Sequence, residues 1–451
     1  MITTLKNMSN AIRCLSMDAV QKANSGHPGM PMGMADVATV LFTKFLKYDS
    51  QCLDWADRDR FILSAGHGSM LLYSLSYLTG NDDCRIKDIK DFRQLNAKTA
   101  GHPEYGHMKG IETTTGPLGQ GITNSVGFAL AERMLNARFG DNLVNHKTYV
   151  IAGDGCLMEG ISQEAITMAG HWKLSNLIVL WDDNDISIDG KISLASSENQ
   201  KLRFESAGWK VISCDGHNFD DIENALNQAQ DSDKPVMIAC KTVIGKGSPN
   251  KSGTASCHGA PLGNDEIAKA KQELGCDWEP FVIPDDVLNA WRSVGKSGQD
   301  ARIEWEKRLE SSDKKSDFHK CLNPDLGKEF LTAINKIKQN ASSDQNKIAT
   351  RKASQIVLEE LYKEIPQLIG GSADLSGSNL TKTNDMDVIQ ANNYGGSYIH
   401  YGIREHGMGA VMNGIALHGG FVPYGGTFMV FADYCRPAIR LSALMGIRSI
   451  Y

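Results

Sequence analysis

The residues best suited to chemistry are an acid and an amide that each follow an apolar stretch. Gly153-Asp154-Gly155 comes directly after the apolar residues 149–152, and Asn184 follows the apolar residues 177–181. A carboxylate, an amide oxygen and a backbone carbonyl just beyond them make the hard oxygen set that Mg²⁺ or Ca²⁺ prefers. The remaining positions on such a metal suit a diphosphate, which the glycines let the backbone approach closely. A plain tight turn is the other interpretation of Gly-Asp-Gly, and the flanking apolar stretches and Asn184 favour the metal site.

Histidines form a second set of candidate residues. Four of the twelve lie in glycine-bounded segments that are typical of loops: His27, His67, His102 and His258. Imidazole rings in loops after strands suit a polyhydroxylated substrate, which needs many hydrogen-bond partners and some proton transfer. A lone loop histidine, in contrast, is more often a solvent-exposed residue. His146, His217 and His319 lie in ordinary polar contexts and are predicted to be surface residues.

A series of apolar stretches must position these loops, and each is predicted to be a short buried strand. They cover residues 60–64, 149–152, 177–181, 211–214 and 236–239. Helical patterns lie between them, and this alternation predicts an α/β fold with a doubly wound, mostly parallel sheet. Loops at the carboxyl ends of such strands are the usual ligand site. A second, incomplete α/β domain is predicted to begin near Arg351.

Composition narrows the class of protein. A chain of 451 residues is long enough for two or three domains, and 41% apolar with 22% charged residues is typical of a soluble globular protein. The formal charge of −6 argues against nucleic-acid binding. No apolar run reaches membrane-spanning length, so no membrane association is expected. The ten cysteines form no C-x-x-C pair and are expected to be reduced thiols in the cytoplasm.

Eight longer segments, in a fixed order from about residue 10 to the last residue, resemble transketolases. They are residues 25–29 (SGHPG), 66–69 (GHGS), 101–104 (GHPE), 112–121 (ETTTGPLGQG), 153–160 (GDGCLMEG), 182–190 (DDNDISIDG), 258–263 (HGAPLG) and 402–406 (GIREH). The resemblance implies the thiamine-diphosphate-binding fold and a transferase that moves a two-carbon ketol unit from a ketose phosphate to an aldose phosphate. It also implies a homodimer of the pentose phosphate pathway, with the active site at the subunit interface.

The resemblance assigns roles to residues of the first predicted domain. Asp154, Asn184 and the carbonyl of Ile186 would bind Mg²⁺, or Ca²⁺ or Mn²⁺ in its place. The residues that would contact thiamine diphosphate are His67, Gly116, Leu118, Gly155, Asn184 and His258. His27 and His258 would lie beside the reacting carbonyl of the substrate and stabilise its developing alkoxide. His102 would contact substrate hydroxyls.

The resemblance also assigns cofactor roles in the second domain. Glu405 would be catalytic, because in this family a carboxylic acid bonds to the aminopyrimidine ring of the cofactor and directs its proton transfers. On sequence alone Glu405 is an ordinary surface acid. Phe428, Phe431 and Tyr434 would pack around the aminopyrimidine ring. The other interpretation of these three is that they are core aromatics, and both interpretations can hold together.

Two further residues would bind the substrate. The resemblance places Arg351 and Ser378 at the substrate phosphate, where a guanidinium group and a hydroxyl suit the geometry. Without the resemblance, Arg351 is equally well explained as the first-turn residue of a helix in a charged linker.

The same resemblance gives the predicted boundaries. Residues 1–315 form the diphosphate-binding domain, residues 316–348 a helical linker, and residues 349–451 a truncated pyrimidine-binding domain. Residues 448–451 are predicted to start a buried strand, so a fragment is expected. One alternative is therefore a non-catalytic or split transketolase fragment that needs a partner chain. Another is a related thiamine-diphosphate enzyme such as deoxyxylulose-phosphate synthase, against which the segments around His27, His102 and His258 argue.

Overall fold

The computed structural model describes residues 4–323, 327–344 and 347–451, except the side chain of Glu329. The chain divides into two compact units. The first contains the described residues up to Ile122 together with His146–Glu304, and the second contains Thr123–Asn145 and Trp305–Tyr451. Within the described residues, no helix combines the length and the apolar character needed to cross a membrane.

A five-stranded parallel sheet forms the centre of the first unit. Its strands are β1 (Arg60–Leu63), β2 (Thr148–Gly153), β3 (Leu177–Asp183), β4 (Lys210–Asp215) and β5 (Val236–Lys241). They lie in the order β1-β2-β3-β5-β4, and every neighbouring pair is parallel. Strands β1, β2 and β3 are buried almost throughout, which explains their continuous apolar sequences. The predicted doubly wound parallel sheet is confirmed.

Helices precede and follow the strands in the order of the described sequence. Those up to the start of the last strand of the first sheet are α1 (Leu5–Ala23), α2 (Gly29–Val40), α3 (Ser69–Thr79), α4 (Ile86–Lys90), α5 (Gln120–Phe139), α6 (Asp154–Met158), α7 (Gly160–His171), α8 (Gln200–Ser206) and α9 (Phe219–Gln230). Those that follow are α10 (Asn264–Leu274), α11 (Asp285–Gly295), α12 (Gln299–Glu310), α13 (Lys315–Leu322), α14 (Lys328–Asp344), α15 (Thr350–Glu364), α16 (Ser376–Asn379), α17 (Glu405–His418) and α18 (Ala432–Met445).

The second unit has a smaller parallel sheet. Its strands β6 (Leu368–Ser372), β7 (Tyr398–His400) and β8 (Val422–Pro423) lie in the order β7-β6-β8. Within the predicted linker, α13 and α14 are helical, while residues 324–326 and 345–346 lie outside the described residues. Ile450 makes one parallel bridge to Tyr424. The prediction of a buried strand at residues 448–451 is wrong on burial, because the side chains of Ile450 and Tyr451 are about half exposed.

Two helices of the second unit cross at a pair of glycines. A Cβ atom on Gly127 of α5 would lie 2.1 Å from the carbonyl oxygen of Val411 in α17. Reciprocally, a Cβ atom on Gly414 of α17 would lie 1.9 Å from the carbonyl oxygen of Asn124 in α5. The two backbones therefore touch directly, and neither position has room for a side chain. This contact fixes α17, the helix that begins at Glu405.

Candidate functional site

A cavity of about 280 Å³ lies at the carboxyl ends of the strands in the first unit. Nine residues predicted from the sequence line it: His27, His67, Gly116, Leu118, Asp154, Gly155, Asn184, Ile186 and His258. Strand register explains part of this convergence, because Gly153 of β2 pairs with Asp182 of β3. The loops that carry Asp154 and Asn184 therefore leave the sheet side by side.

Asp154 is a half-buried residue whose carboxylate has one oxygen unused. Its Oδ1 accepts a hydrogen bond of 3.0 Å from the indole N–H of Trp181, whereas its Oδ2 is buried and has no hydrogen-bond partner among the described residues. Burial, helped by the negative charges of Asp182, Asp183 and Asp185, raises the pKa of Asp154 to about 7. An unpaired buried oxygen among several acids is costly for the protein alone and fits a divalent cation.

The side-chain amide of Asn184 is held in one orientation. Its Nδ2 donates a hydrogen bond of 2.8 Å to Oδ2 of Asp182, and its Oδ1 accepts one of 2.9 Å from the backbone N–H of Ile186. The other carboxylate oxygen of Asp182 accepts from the hydroxyl of Thr242. Burial raises the pKa of Asp182 to about 6. Because Asp182 is an acceptor, the amide oxygen of Asn184 must point away from it.

The predicted metal ligands include only one carboxylate side chain and no histidine or cysteine. Such a set is small for a metal that is bound by the protein without a cofactor. No group of three or more His, Cys, Asp or Glu side chains arranged for a metal occurs in residues 4–323, 327–344 and 347–451. The predicted set has one carboxylate, one amide oxygen and one backbone carbonyl, and a bound diphosphate would supply further oxygens. The unused oxygen of Asp154 fits this set.

The four loop histidines of the first unit form one cluster. The ring centroids of His67 and His258 are stacked 5.0 Å apart, and the ring of His27 lies 5.2 Å from His67, 5.8 Å from His258 and 6.3 Å from His102. Burial lowers the pKa of all four rings, to about 4 for His27 and about 3 for His67. The rings are therefore neutral at pH 7, and each has one donor and one acceptor nitrogen. Nδ1 of His258 is buried without a partner among the described residues.

The glycines of the cavity wall keep the backbone accessible. Gly116 has φ of +125°, a backbone conformation that residues with a side chain rarely adopt. A Cβ atom there would lie 2.9 Å from Cγ of His102. A Cβ atom on Gly155 would lie 3.0 Å from Cδ1 of Leu118. A side chain at either position would therefore press against its neighbour in the cavity wall.

Glu405 and three aromatic residues lie in the second unit. Glu405 is the first residue of α17 and is 8% exposed, and its Oε1 accepts a hydrogen bond of 3.2 Å from the hydroxyl of Thr427. Phe428 and Phe431 are stacked at 5.8 Å, and Tyr434 lies 5.9 Å from Phe431. Phe428 is 42% and Tyr434 is 64% exposed. The interpretation of Glu405 as a surface acid is therefore wrong, and Phe428 and Tyr434 are not core residues, whereas Phe431 is half-buried.

The two predicted phosphate-binding residues are exposed in the second unit. Arg351 is in the first turn of α15 and lines a cavity of about 660 Å³ beside Asn379 and Gly426. Ser378 is on the short helix α16 and does not line that cavity. Asn379, the neighbour of Ser378 in the sequence, does line it.

Sequence reasoning missed several residues of the first unit. Asp182 and Thr242 orient Asn184, and Arg93 contacts both Ser25 and His27. Asp182 has a sequence signal, since it stands two positions before Asn184 at the end of an apolar strand. Arg93 has none, because it lies in an irregular polar segment.

Two further histidines were assigned wrongly. His146 is 2% exposed and its Nδ1 lies 3.1 Å from Oδ1 of Asp57. His217 is largely buried and its Nδ1 lies 2.9 Å from Oδ2 of Asp36. Of the three predicted surface histidines, only His319 is exposed.

Comparison with known proteins identifies first a class and then a family. The first unit has the parallel sheet and strand-end cavity of a cofactor-binding α/β protein, and the family described as "Transketolase, thiamine diphosphate binding domain" matches residues 4–334. The family described as "Transketolase, pyrimidine binding domain" matches residues 346–451. The chain belongs to the transketolase family, as its sequence motifs predict.

Individual relatives agree with this assignment. The chain is 59% identical to a transketolase of Cereibacter sphaeroides over 98% of its own length and 67% of the relative's, and 55% identical to one of Sinorhizobium medicae over 99% and 64%. The crystal structure of transketolase from Campylobacter jejuni superimposes with a TM-score of 0.91 at 42% identity, covering 99% of this chain and 68% of that one. The chain thus spans about two thirds of the length of these relatives.

Proposed function

We propose that this chain is the cofactor- and metal-binding part of a transferase that moves a two-carbon ketol unit from a ketose phosphate to an aldose phosphate. The observation that carries the proposal is the cavity at the ends of β2 and β3, where the unused oxygen of Asp154 lies beside Asn184 and Ile186. A transketolase of Pichia stipitis that is 40% identical to this chain was crystallised in complex with sedoheptulose-7-phosphate, which supports sugar phosphates as substrates.

In this proposal the first unit holds the metal and the cofactor diphosphate. Oδ2 of Asp154, Oδ1 of Asn184 and the carbonyl of Ile186 bind Mg²⁺, or Ca²⁺ or Mn²⁺. The other cofactor-binding residues form the walls of the same cavity: His67, Gly116, Leu118, Gly155 and His258. Thiamine diphosphate, when bound, would supply the positively charged ring that accepts electron density when a carbon–carbon bond of the substrate breaks.

The neutral histidines act on the substrate. His27 and His258 donate hydrogen bonds to the substrate oxygen on which negative charge develops, and His102 binds substrate hydroxyls. A neutral ring suits this role because it donates without losing a proton at pH 7. The low pKa of His27, about 4, supports this assignment.

The second unit directs proton transfer and binds phosphate. Glu405 holds a proton at the aminopyrimidine ring, against which Phe428, Phe431 and Tyr434 pack. Arg351 and Ser378 bind the substrate phosphate. We further propose a homodimer with the active site at the subunit interface, because large apolar side chains such as Met429, 95% exposed, need a covering surface.

The cellular setting is also part of the proposal. All ten cysteines lie in the described residues and carry free thiols, which suits the reducing cytoplasm. There the enzyme would serve the pentose phosphate pathway.

Calorimetry tests the cofactor site directly. Thiamine diphosphate is titrated into the purified chain with and without Mg²⁺, and into Asp154→Ala and Asp189→Ala. Asp189 is an exposed acid that does not line the cavity, so its substitution removes the same charge outside the predicted ligand set. We expect Mg²⁺-dependent binding by the native chain and by Asp189→Ala, and its loss in Asp154→Ala. A folded native chain that binds no cofactor would refute the proposal.

A further inference from the structure

Arg93 is held in an unusual conformation beside the histidine cluster. Its φ is +61°, in the left-handed region that an arginine rarely adopts. The backbone N–H of Arg93 donates to the carbonyl of Thr99 at 3.0 Å, which keeps the turn in place. A Cβ atom on Gly101 would lie only 3.1 Å from Nε of Arg93, so the guanidinium packs closely against that glycine. Strain of this kind persists where the surroundings demand a particular side-chain direction.

The guanidinium of Arg93 reaches the segment that carries His27. Nη1 donates a hydrogen bond of 2.9 Å to Oγ of Ser25, and Nη2 lies 3.5 Å from Nδ1 of His27. Nε is buried without a partner among the described residues. An arginine has donors only, so the nitrogen of His27 that faces it must offer a lone pair.

The second ring nitrogen of His27, Nε2, lies on the edge of the ring opposite Arg93. A Cβ atom on Gly259 would lie 3.3 Å from Nε2 of His27, so this nitrogen lies against a residue that has no side chain. Gly259 is adjacent to His258, whose ring centroid is 5.8 Å from that of His27. Nε2 is therefore on the side of the ring that faces the cluster.

We propose that Arg93 is a positioning residue that fixes His27 in the tautomer with its hydrogen on Nε2, so that the ring presents an N–H donor to the candidate site. The tautomer itself follows from the contacts of Arg93, Ser25 and His27. Its value for catalysis rests on the proposed function, in which a donor from His27 meets a developing negative charge.

The choice of tautomer matters only while the ring is neutral. Burial, with contributions from His258, Arg93 and His102, lowers the pKa of His27 to about 4. At pH 7 the ring therefore carries one hydrogen, and its position decides which nitrogen donates.

The test is nuclear magnetic resonance of the chain labelled with ¹⁵N,¹³C-histidine, without cofactor, at pH 7.5. His27→Gln assigns the ring signals by their disappearance. We expect the nitrogen shifts of His27 in the native chain to show a bare Nδ1 and a protonated Nε2. In Arg93→Met this single-tautomer pattern should be lost, whereas Arg93→Lys, which still has donors only, should retain part of it.

Lys98→Met is the matched control. Lys98 and Arg93 line the same cavity, so the control removes an equal charge nearby, but Lys98 pairs with Asp83 and has no contact with His27. Its His27 signals should match those of the native chain. A native ring protonated on Nδ1, or unchanged shifts in a folded Arg93→Met, would overturn the inference. Because no cofactor is present, this result is independent of the calorimetric test of the proposed function.

Discussion

The candidate residues of the two units differ in how far the fold itself arranges them. In the first unit the predicted residues except His102 line one cavity, and a buried oxygen of Asp154 lacks a partner among the described residues. In the second unit Glu405 is buried, but Phe428, Tyr434 and Arg351 are exposed. Strand register builds the first set, whereas the second set consists largely of surface residues. The metal and diphosphate functions should therefore be measurable separately from the proton-transfer function.

Glu405→Gln is expected to separate cofactor binding from proton transfer most clearly. The substitution keeps the shape of the side chain but removes the carboxyl group that would hold a proton at the cofactor. We expect Mg²⁺-dependent binding of thiamine diphosphate to stay close to native, while hydrogen exchange at the reactive ring carbon of the bound cofactor slows by about 10²- to 10⁴-fold. Quenched exchange in D₂O measures this rate.

Glu364→Gln is the control for that experiment. Glu364 is an exposed acid of the same unit, at the end of α15. Native exchange in Glu364→Gln and slow exchange in Glu405→Gln would support the assignment. Native exchange in both variants would contradict it.

The next largest effect is expected for the stability of metal-free Asp154→Asn. The pKa of Asp154 is raised to about 7 in the folded state from 3.8, so between these pH values the folded chain binds more protons than the unfolded chain and stability falls as pH rises. At pH 8 the asparagine should avoid a cost of up to about 4 kcal/mol, reduced by solvent in the partly open cavity. The melting temperature without metal should therefore rise at pH 8.

This gain should shrink as pH falls from 7 towards 4, where the native carboxyl is protonated in the folded state. Added Mg²⁺ should stabilise the native chain and not the variant. If Asp154→Asn melts at a lower temperature than the native chain at pH 8 without metal, then the ionised Asp154 carboxylate does not destabilise the folded chain, and the prediction is wrong.

A smaller effect is expected for Asp182→Asn. Because Asp182 accepts from both Thr242 and Asn184, an amide at this position would allow the Asn184 side chain to turn over. We expect Mg²⁺ affinity in the presence of thiamine diphosphate to fall about 10- to 100-fold. Calorimetry at constant cofactor concentration measures the change.

Asp183→Asn separates orientation from charge. Asp183 is the next residue and pairs with Lys241 near the surface at 3.2 Å. Asp183→Asn removes the same charge as Asp182→Asn but leaves the hydrogen bond between Asp182 and the side-chain amide of Asn184 in place. Equal losses of affinity in the two variants would mean that negative charge, rather than amide orientation, explains the effect.

The smallest effect is expected for Met429→Ser in the second unit. The side chain is 95% exposed, so the free energy of unfolding of the dilute chain should change by less than about 0.5 kcal/mol. Self-association, measured by sedimentation, should weaken if this surface is covered in a dimer. A large loss of stability in the dilute chain would show that Met429 already packs against the fold.

Part of the first site could be predicted from local patterns and one topological rule, which bring Asp154 and Asn184 to one cavity, whereas the roles of the other residues rest on the resemblance. Apolar strands followed by Asp154 or Asn184 must release their loops at one edge of a parallel sheet. The glycine-bounded histidines lie in loops that converge on the same edge. No long-range partner had to be known for these predictions.

Residues whose environment depends on distant partners could not be predicted. His217 is largely buried because Asp36 pairs with its Nδ1 and the N–H of Val243 donates to its Nε2 at 2.9 Å. Nothing near His217 in the sequence indicates either contact. Arg93 is similar, since its contacts with Ser25 and His27 depend on a turn with positive φ.

The aromatic residues show a different limit. The spacing of Phe428, Phe431 and Tyr434 fits a core as well as an exposed row, because periodicity shows which side chains share a face and not what covers that face. Only the exposure of Phe428 and Tyr434 in the structure distinguishes the two.

The glycine crossing of α5 and α17 has a consequence for how this protein can change over evolutionary time. Since Gly127 and Gly414 bring two backbones into direct contact, a new side chain at either position cannot be absorbed by repacking a neighbouring side chain. It must shift the whole of α17, and Glu405, the first residue of that helix, would move with it. A substitution at Gly127, nearly three hundred positions earlier in the chain, should therefore impair the role proposed for Glu405, and its suppressors should be found along the two helices rather than around the carboxylate.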